Sequence, residues 1–331
     1  MPHRAFTRRH LITIAAAAAA SSLLPARLRA MPANEPVRWR GSALGAQVSI
    51  EIHHPDRAAA ARSVEQSIAE VRRLERLFSL YQPDSAICEL NRTGVLIAPE
   101  PDMVALLRAA LGYADLTGGA FDPTVQPLWQ LYHHHFAAER PDPAGPSPAQ
   151  LAEAMAKVGH DGLRVTANRV VLLKRGAAIT LNGIAQGYVA DRVVDLLRSA
   201  GLSTTLVDMG EIRAIGARPD GTPWRIGLAD PDQPGGFGET VDIADRAVAT
   251  SAGAGFRFDP EGRFTHLLNP RTGRSPALYS SISVIAPTAT EADALSTAFS
   301  LMPLPVIQRI VSERQGLEVR VFDVLGRRLA M

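Results

Sequence analysis

Apolar residues recur at helical spacing from Ala58 to Phe78, where Val64, Ile68, Val71, Leu74 and Phe78 share one face, and the pattern predicts a long amphipathic helix. Met103 to Leu116 repeats the pattern and stops at Thr117-Gly118-Gly119, where paired glycines end a helix and admit a tight loop with positive φ. Gln47 to Ile52 alternates as a strand does. Pro141 to Pro148 reads as a proline-rich surface connection into a short helix carrying Leu151, Met155 and Val158. Leu163 to Thr166 and Arg169 to Leu173, with Ala167-Asn168 between them, have hairpin spacing. A helix from Tyr188 to Ser199 follows. Thr204 to Asp208, Trp224 to Leu228, Arg246 to Thr250, Thr265 to Leu268 and Ser281 to Ile285 then look extended. Helices over Glu291 to Leu301 and around Val306 to Glu313, and a strand from Leu317 to Val324, close the chain.

Helices and strands mix without strict alternation, and no GxGxxG or Walker loop opens a βαβ unit. The class is therefore α+β and not a Rossmann fold, built as one large domain or two intimate lobes. The first thirty residues depart from this pattern. A basic stretch (His3, Arg4, Arg8, Arg9, His10) precedes the apolar run Leu11 to Leu24, and Pro25 and Ala30 follow. The run is shorter than the roughly 20 residues that span a bilayer, so it reads as a secretory signal. Paired arginines directly before it resemble a twin-arginine signal, used for proteins exported folded. The expectation is a signal peptide over 1–30 with cleavage near Ala30, one domain over 31–331, and a periplasmic location. No cysteine stands directly after the apolar run, so no lipid anchor is expected.

Composition narrows the classes further. With 35 basic and 33 acidic residues the formal net charge is +2, and no basic run interleaves with aromatics, so nucleic acid is not an expected partner. Cys88 is the single cysteine, which rules out an internal disulfide and a thiolate metal cluster.

Asp293 and Thr297 stand four apart and fall on one helical face. Carboxylate and hydroxyl oxygens suit hard cations, magnesium or calcium, which complete their shells with carbonyls, water and phosphate. The same residues fit a second reading, with Thr290 as the helix N-cap and Asp293 as its partner three residues on. Thr117 to Thr124 joins glycines to Phe121 and Asp122, which suits either a planar ligand or a plain helix-terminating turn. Tyr81 offers a ring for stacking or a half-buried cap on the core. His266 and Arg271 fall in a strand and turn, where a lone histidine is as readily structural. His133-His134-His135 lacks an acidic or thiolate partner at ligand spacing and reads as a solvated loop.

The order of these segments adds specificity that none has alone. Gly41 to Ala46, Ser79 to Asn91, Thr117 to Pro127, Leu181 to Asp191, Asp208 to Gly216, Ala249 to Gly253, His266 to Gly273 and Glu291 to Thr297 together resemble the ApbE family of FAD:protein FMN transferases. The resemblance implies a mixed α+β fold of two lobes with a flavin cleft between them. It also implies transfer of FMN from FAD to a threonine or serine of a target flavoprotein, forming a phosphoester and releasing AMP. Carried over residue by residue, it implies magnesium (with manganese or calcium as alternatives) on Asp293, Thr297 and the Gly183 carbonyl. It further implies FAD contacts at Leu44, Tyr81, Ala120, Phe121, Asp122, Thr180, Gln186 and Leu267. Thr180 stands where an acid commonly begins the motif, Gln186 where a lysine or acid is common, Leu44 and Ala46 where Met and Thr often flank the glycine, and Glu211 where a second glycine is usual.

A cation held by Asp293 and Thr297 would neutralise the FAD diphosphate as AMP departs. The acceptor hydroxyl needs a base, for which His266 is the candidate, with Asp208 and Asp122 as the other nearby acids. Two other functions fit the same motifs, an FAD hydrolase giving FMN and AMP, and a non-catalytic flavin-binding assembly factor. The twin-arginine-like signal is similar to that of the branch serving the nitrous oxide reduction system, whose acceptor sits on a membrane, so a peripheral approach to a membrane partner is expected.

Overall fold

The computed structural model describes residues 35–229 and 237–331. The signal-peptide expectation lies outside the described residues. Among the described residues, no helix is long and apolar enough to cross a membrane.

In chain order, the hairpin β1 (Val37–Ala43) and β2 (Ala46–Ile52) leads to α1 (Arg57–Phe78), α2 (Ala86–Thr93), β3 (Val95–Ile97) and α3 (Pro101–Leu116). Then come α4 (Gln126–Phe136), α5 (Pro148–Met155), β4 (Leu163–Val165), β5 (Arg169–Leu172), α6 (Ala185–Ser199), β6 (Thr205–Asp208) and β7 (Ile212–Ile215). The chain finishes with β8 (Trp224–Ala229), β9 (Phe237–Ile243), β10 (Ala247–Ala252), β11 (Ser281–Ala286), α7 (Ala289–Phe299), α8 (Leu304–Ser312), β12 (Glu318–Phe322) and β13 (Arg328–Leu329).

An eight-stranded sheet in the order β1-β2-β6-β7-β10-β11-β12-β13 forms the centre, and each neighbouring pair is antiparallel. Two small sheets, β3-β5-β4 and β8-β9, stand beside it. An antiparallel sheet with helices on one face and no parallel crossover pair is the α+β class expected from the sequence, and not a Rossmann fold.

The centre is buried on both faces, so its strands read as apolar runs and not as alternation. Val207, Ile282 and Val284 face the helical side with α1, α6 and α7, while Leu206, Ile212 and Ile285 face the β8-β9 hairpin through Trp224, Ile226 and Leu228. Leu295 and Phe299 of α7 are fully enclosed, each contributing about 1.5–3 kcal/mol of apolar burial. A satellite cluster joins α4 and α5 to the 256–268 segment through Leu128, Tyr132, Val158 and Leu268.

Three expectations need correction. Thr265 to Leu268 is not a strand. It makes one isolated antiparallel bridge, Arg257 with Thr265, and the Thr265 N–H donates to Ser275 Oγ at 2.9 Å, which takes the ladder bond a neighbour would have received. His133-His134-His135 is not a loop but the last turn of α4, because Leu128 and Tyr132, four apart, bury one face of a helix there. His133 and His134 are nonetheless exposed. The N-cap of α7 is Thr288, whose hydroxyl accepts from the Glu291 N–H at 3.2 Å, so Asp293 does not cap its own helix through Thr290.

Candidate active site

Asp293 is released from capping its own helix because it serves another. Its Oδ2 accepts the Gly187 N–H of α6 at 3.0 Å, and α6 has no side-chain cap from the residue that precedes it. Asp191 of α6 returns the service, accepting the N–H groups of Ala289 and Thr290 at 2.9 and 2.8 Å and the Thr290 hydroxyl at 2.7 Å. The two helix N-termini are thus cross-capped by carboxylates, each placed at the positive end of the partner's dipole. Only glycine permits the approach. A Cβ on Gly187 would stand 2.2 Å from the Ala289 carbonyl oxygen and 2.8 Å from Asp293 Cβ.

One turn before α6, Gly183 meets Thr297. A Cβ there would lie 2.9 Å from Thr297 Oγ1, 3.1 Å from its methyl and 3.4 Å from the Phe121 ring. Ser251 of β10 adds a second hydroxyl, 2.8 Å from Ser296 Oγ and 3.5 Å from Thr297 Oγ1. The fold therefore gathers Gly183, Thr297, Asp293 and Ser251 from a loop, a helix and a strand.

Asp293 is 3% exposed, and burial pushes its carboxyl up to about 7; the Gly187 N–H opposes the rise and Asp191 adds to it. Glu211 is raised well above the ordinary carboxylate range by burial, then by Asp293 and Asp208, against one N–H bond from Thr250. Burial also raises Asp208, partly offset by the Gly210 N–H at 2.9 Å. Three acids without a counter-charge are what a bound cation relieves. Among the described residues no group of three or more His, Cys, Asp or Glu has metal-holding geometry. A cation here would draw instead on the carboxylate, the hydroxyl and a backbone carbonyl, all hard oxygen donors of the kind magnesium takes alongside water and phosphate. The residues fit that group.

The remaining sequence-predicted residues lie on other elements, and of them Phe121 reaches Gly183. Leu44 sits at the β1-β2 tip with φ 48, its N–H held by Glu75 Oε1 at 2.9 Å, and beside it a Cβ on Gly45 would be 3.4 Å from the Tyr81 ring. Tyr81 is 55% exposed, so its ring is presented outward and not spent on the core. Ala120, Phe121 and Asp122 follow the glycine pair. Phe121 reaches Gly183, whereas the buried Asp122 carboxylate is committed to Thr124 and His160. Thr180 is pinned through its N–H to the Pro123 carbonyl at 2.8 Å, and its hydroxyl accepts from Asn182 N. The Gln186 amide lies over Gly210, where a Cβ would be 2.5 Å from Nε2. Leu267 is buried, and its carbonyl accepts from Ser275 Oγ at 3.1 Å.

His266 follows Thr265, which packs beside Gly253 two residues beyond Ser251. Its Nδ1 donates to the Phe256 carbonyl at 3.1 Å, since a carbonyl can only accept, so in the neutral ring Nε2 carries the lone pair. Arg271 donates to the Gly118 carbonyl and ties this segment to the glycine loop. Sequence reasoning assigned no role to Glu75, Asp191 or Ser251. Asp191 closes one of the motif segments, but its function depends on α7, 98 positions away.

Known proteins place this arrangement. The ApbE family pattern matches residues 44–321. The chain belongs to the ApbE family. An FAD:protein FMN transferase of Salmonella typhimurium is 33% identical over 255 residues, covering 73% of this chain and 71% of that protein. One from Klebsiella pneumoniae is 30% identical over 302 residues, covering 88% and 85%. The crystal structure of the ApbE protein from Thermotoga maritima superposes with a TM-score of 0.80 at 28% identity, covering 89% of this chain and 96% of that one. The flavin transferase ApbE from Vibrio cholerae gives 0.75 at 26%, covering 87% and 93%. This ApbE-family chain is therefore matched from the Leu44 tip to strand β12 and shares the mixed fold of the flavin transferases.

Proposed function

We propose that this protein is an FAD:protein FMN transferase that joins FMN to a threonine or serine hydroxyl of a target flavoprotein. The observation that carries this is the meeting of Gly183, Asp293 and Thr297 across α6 and α7 in a chain related to named FMN transferases over about three quarters of its length or more. The acceptor oxygen attacks the phosphorus on the FMN side of FAD, a new P–O bond forms, the bond to the AMP phosphate breaks, and AMP leaves. The hydroxyl proton passes to a base. His266 Nε2 fills that role, with Nδ1 oriented by the Phe256 carbonyl.

Magnesium, when bound, supplies charge neutralisation for the diphosphate. Asp293, Thr297 and the Gly183 carbonyl would hold it. Tyr81 and Leu44 at the hairpin tip, the Ala120-Phe121-Asp122 stretch, Thr180, Gln186 and the Leu267 backbone line the flavin. The Gly187 N–H keeps the Asp293 carboxylate oriented, and the Phe121 ring packs beside Gly183. Export by the twin-arginine-like signal places the reaction in the periplasm, where a membrane-bound redox complex such as the nitrous oxide reduction system would present the acceptor.

Incubation with FAD, magnesium and an acceptor flavoprotein domain, followed by mass spectrometry, tests the reading. The expected product is the acceptor carrying one phosphoester-linked FMN, with one AMP released per transfer. AMP release at the same rate without acceptor and without modification would make the protein an FAD hydrolase instead, and flavin binding without AMP release would make it an assembly factor.

A further inference from the structure

The 117–124 loop reaches Gly183 through Phe121, and from behind it is held by a histidine that the transfer chemistry does not use. His160, in the single turn before β4, gives both its backbone N–H (3.0 Å) and its ring Nδ1 (3.2 Å) to Asp122 Oδ2. Asp122 Oδ1 takes the Thr124 N–H and hydroxyl at 2.8 and 2.6 Å, and Thr124 Oγ1 accepts from Gly159 N at 2.7 Å. On its other edge, His160 Nε2 lies 3.3 Å from Asp115 Oδ1 at the end of α3. The imidazole therefore spans the glycine pair from Asp115 to Asp122. A Cβ on Gly119, which has φ +81, would be 3.6 Å from His160 Cε1.

A neutral imidazole has one N–H. If Nδ1 donates to Asp122, a neutral ring turns its Nε2 lone pair on the Asp115 carboxylate, and the contact is repulsive. The imidazolium donates on both sides and draws the two ends of the loop together. The other charged groups around it are Asp161, Lys174, which is 3.5 Å from Asp161 and donates to the Val158 carbonyl, and Arg271, which donates to the Gly118 carbonyl.

We propose that His160 is a positioning residue whose protonated ring, held between Asp115 and Asp122, clamps the flavin-contact loop, so that FAD binding is weaker at pH 8.5 than at pH 5.5 while the transfer step is untouched. This rests on the FMN transferase reading. The FAD dissociation constant, read by flavin fluorescence from pH 5.5 to 8.5 at fixed ionic strength, tests it in the wild type, H160Q and D115N. The Asp115 side chain is 77% exposed, so D115N folds whatever becomes of H160Q. The wild type should lose about fivefold more affinity across the range than either variant, the size of a partly exposed ion pair. The turnover number at saturating FAD should stay within about twofold in both variants. Variants that keep the wild-type pH profile, or that lose turnover with unchanged FAD affinity, overturn the clamp alone. A wild-type protein that binds no FAD at any pH overturns the clamp and the transferase reading together.

Discussion

Replacing Asp293 by asparagine separates the cost of a buried charge from its use. In the metal-free protein burial raises this carboxyl from 3.8 to about 7, which costs on the order of 4 kcal/mol at most. The sign follows from the raised value. The folded state binds the proton more tightly than the unfolded state, so the group imposes no penalty below about pH 4 and the full one above about pH 7. Chelator-treated wild type should therefore lose stability from about pH 4 to about pH 7 and no more beyond, and magnesium should stabilise more at pH 8, where it does not compete with a proton. An asparagine keeps an oxygen for the Gly187 N–H and carries no charge, retaining most of a cap that contributes about 1 kcal/mol. D293N in chelator at pH 8 should be at least as stable as wild type, should gain nothing from magnesium, and should be inactive. Calorimetric melting at pH 5.5 and 8, with chelator and with magnesium, reads all of this. A D293N protein that magnesium stabilises as it does the wild type refutes the metal assignment. One that melts well below the wild type in chelator at pH 8 refutes the electrostatic reasoning.

Other positions test the neighbouring contacts. Gly187→Ala drives a methyl into the Ala289 carbonyl at 2.2 Å, and urea unfolding should show a loss of about 1–3 kcal/mol as α6 and α7 are wedged apart. Gly183→Ala meets the Thr297 hydroxyl at 2.9 Å, so its main effect should be lost magnesium affinity by calorimetric titration, with turnover falling in parallel. Tyr81→Ala removes a ring that is 55% exposed, so unfolding free energy should stay within about 0.5 kcal/mol while the KM for FAD rises. A Tyr81 variant with unchanged KM would remove the hairpin tip from the flavin wall.

The helices α1, α3 and α6 were legible because a 3.6-residue period is a local property, present in Val64, Val71 and Leu74 before anything folds. The four-residue spacing of Asp293 and Thr297 likewise announced two oxygens on one helical face, and the ordered motif segments announced the family. Helix α4 was hidden because its buried face rests on Leu128 and Tyr132 amid histidines, and the 265–268 segment imitated a strand until Ser275 took its N–H.

Tertiary structure decided the rest. Which carboxylate caps which helix depends on Gly187 and Asp293, 106 positions apart, and the hold on the 117–124 loop depends on His160 and Asp122, 38 apart. Periodicity and spacing specify what a segment can become and which face it offers. The order of eight antiparallel strands, the exchange of caps between α6 and α7, and the burial that raises three acids arise only when distant segments exclude water together, since desolvation belongs to the packed site and not to any residue in it.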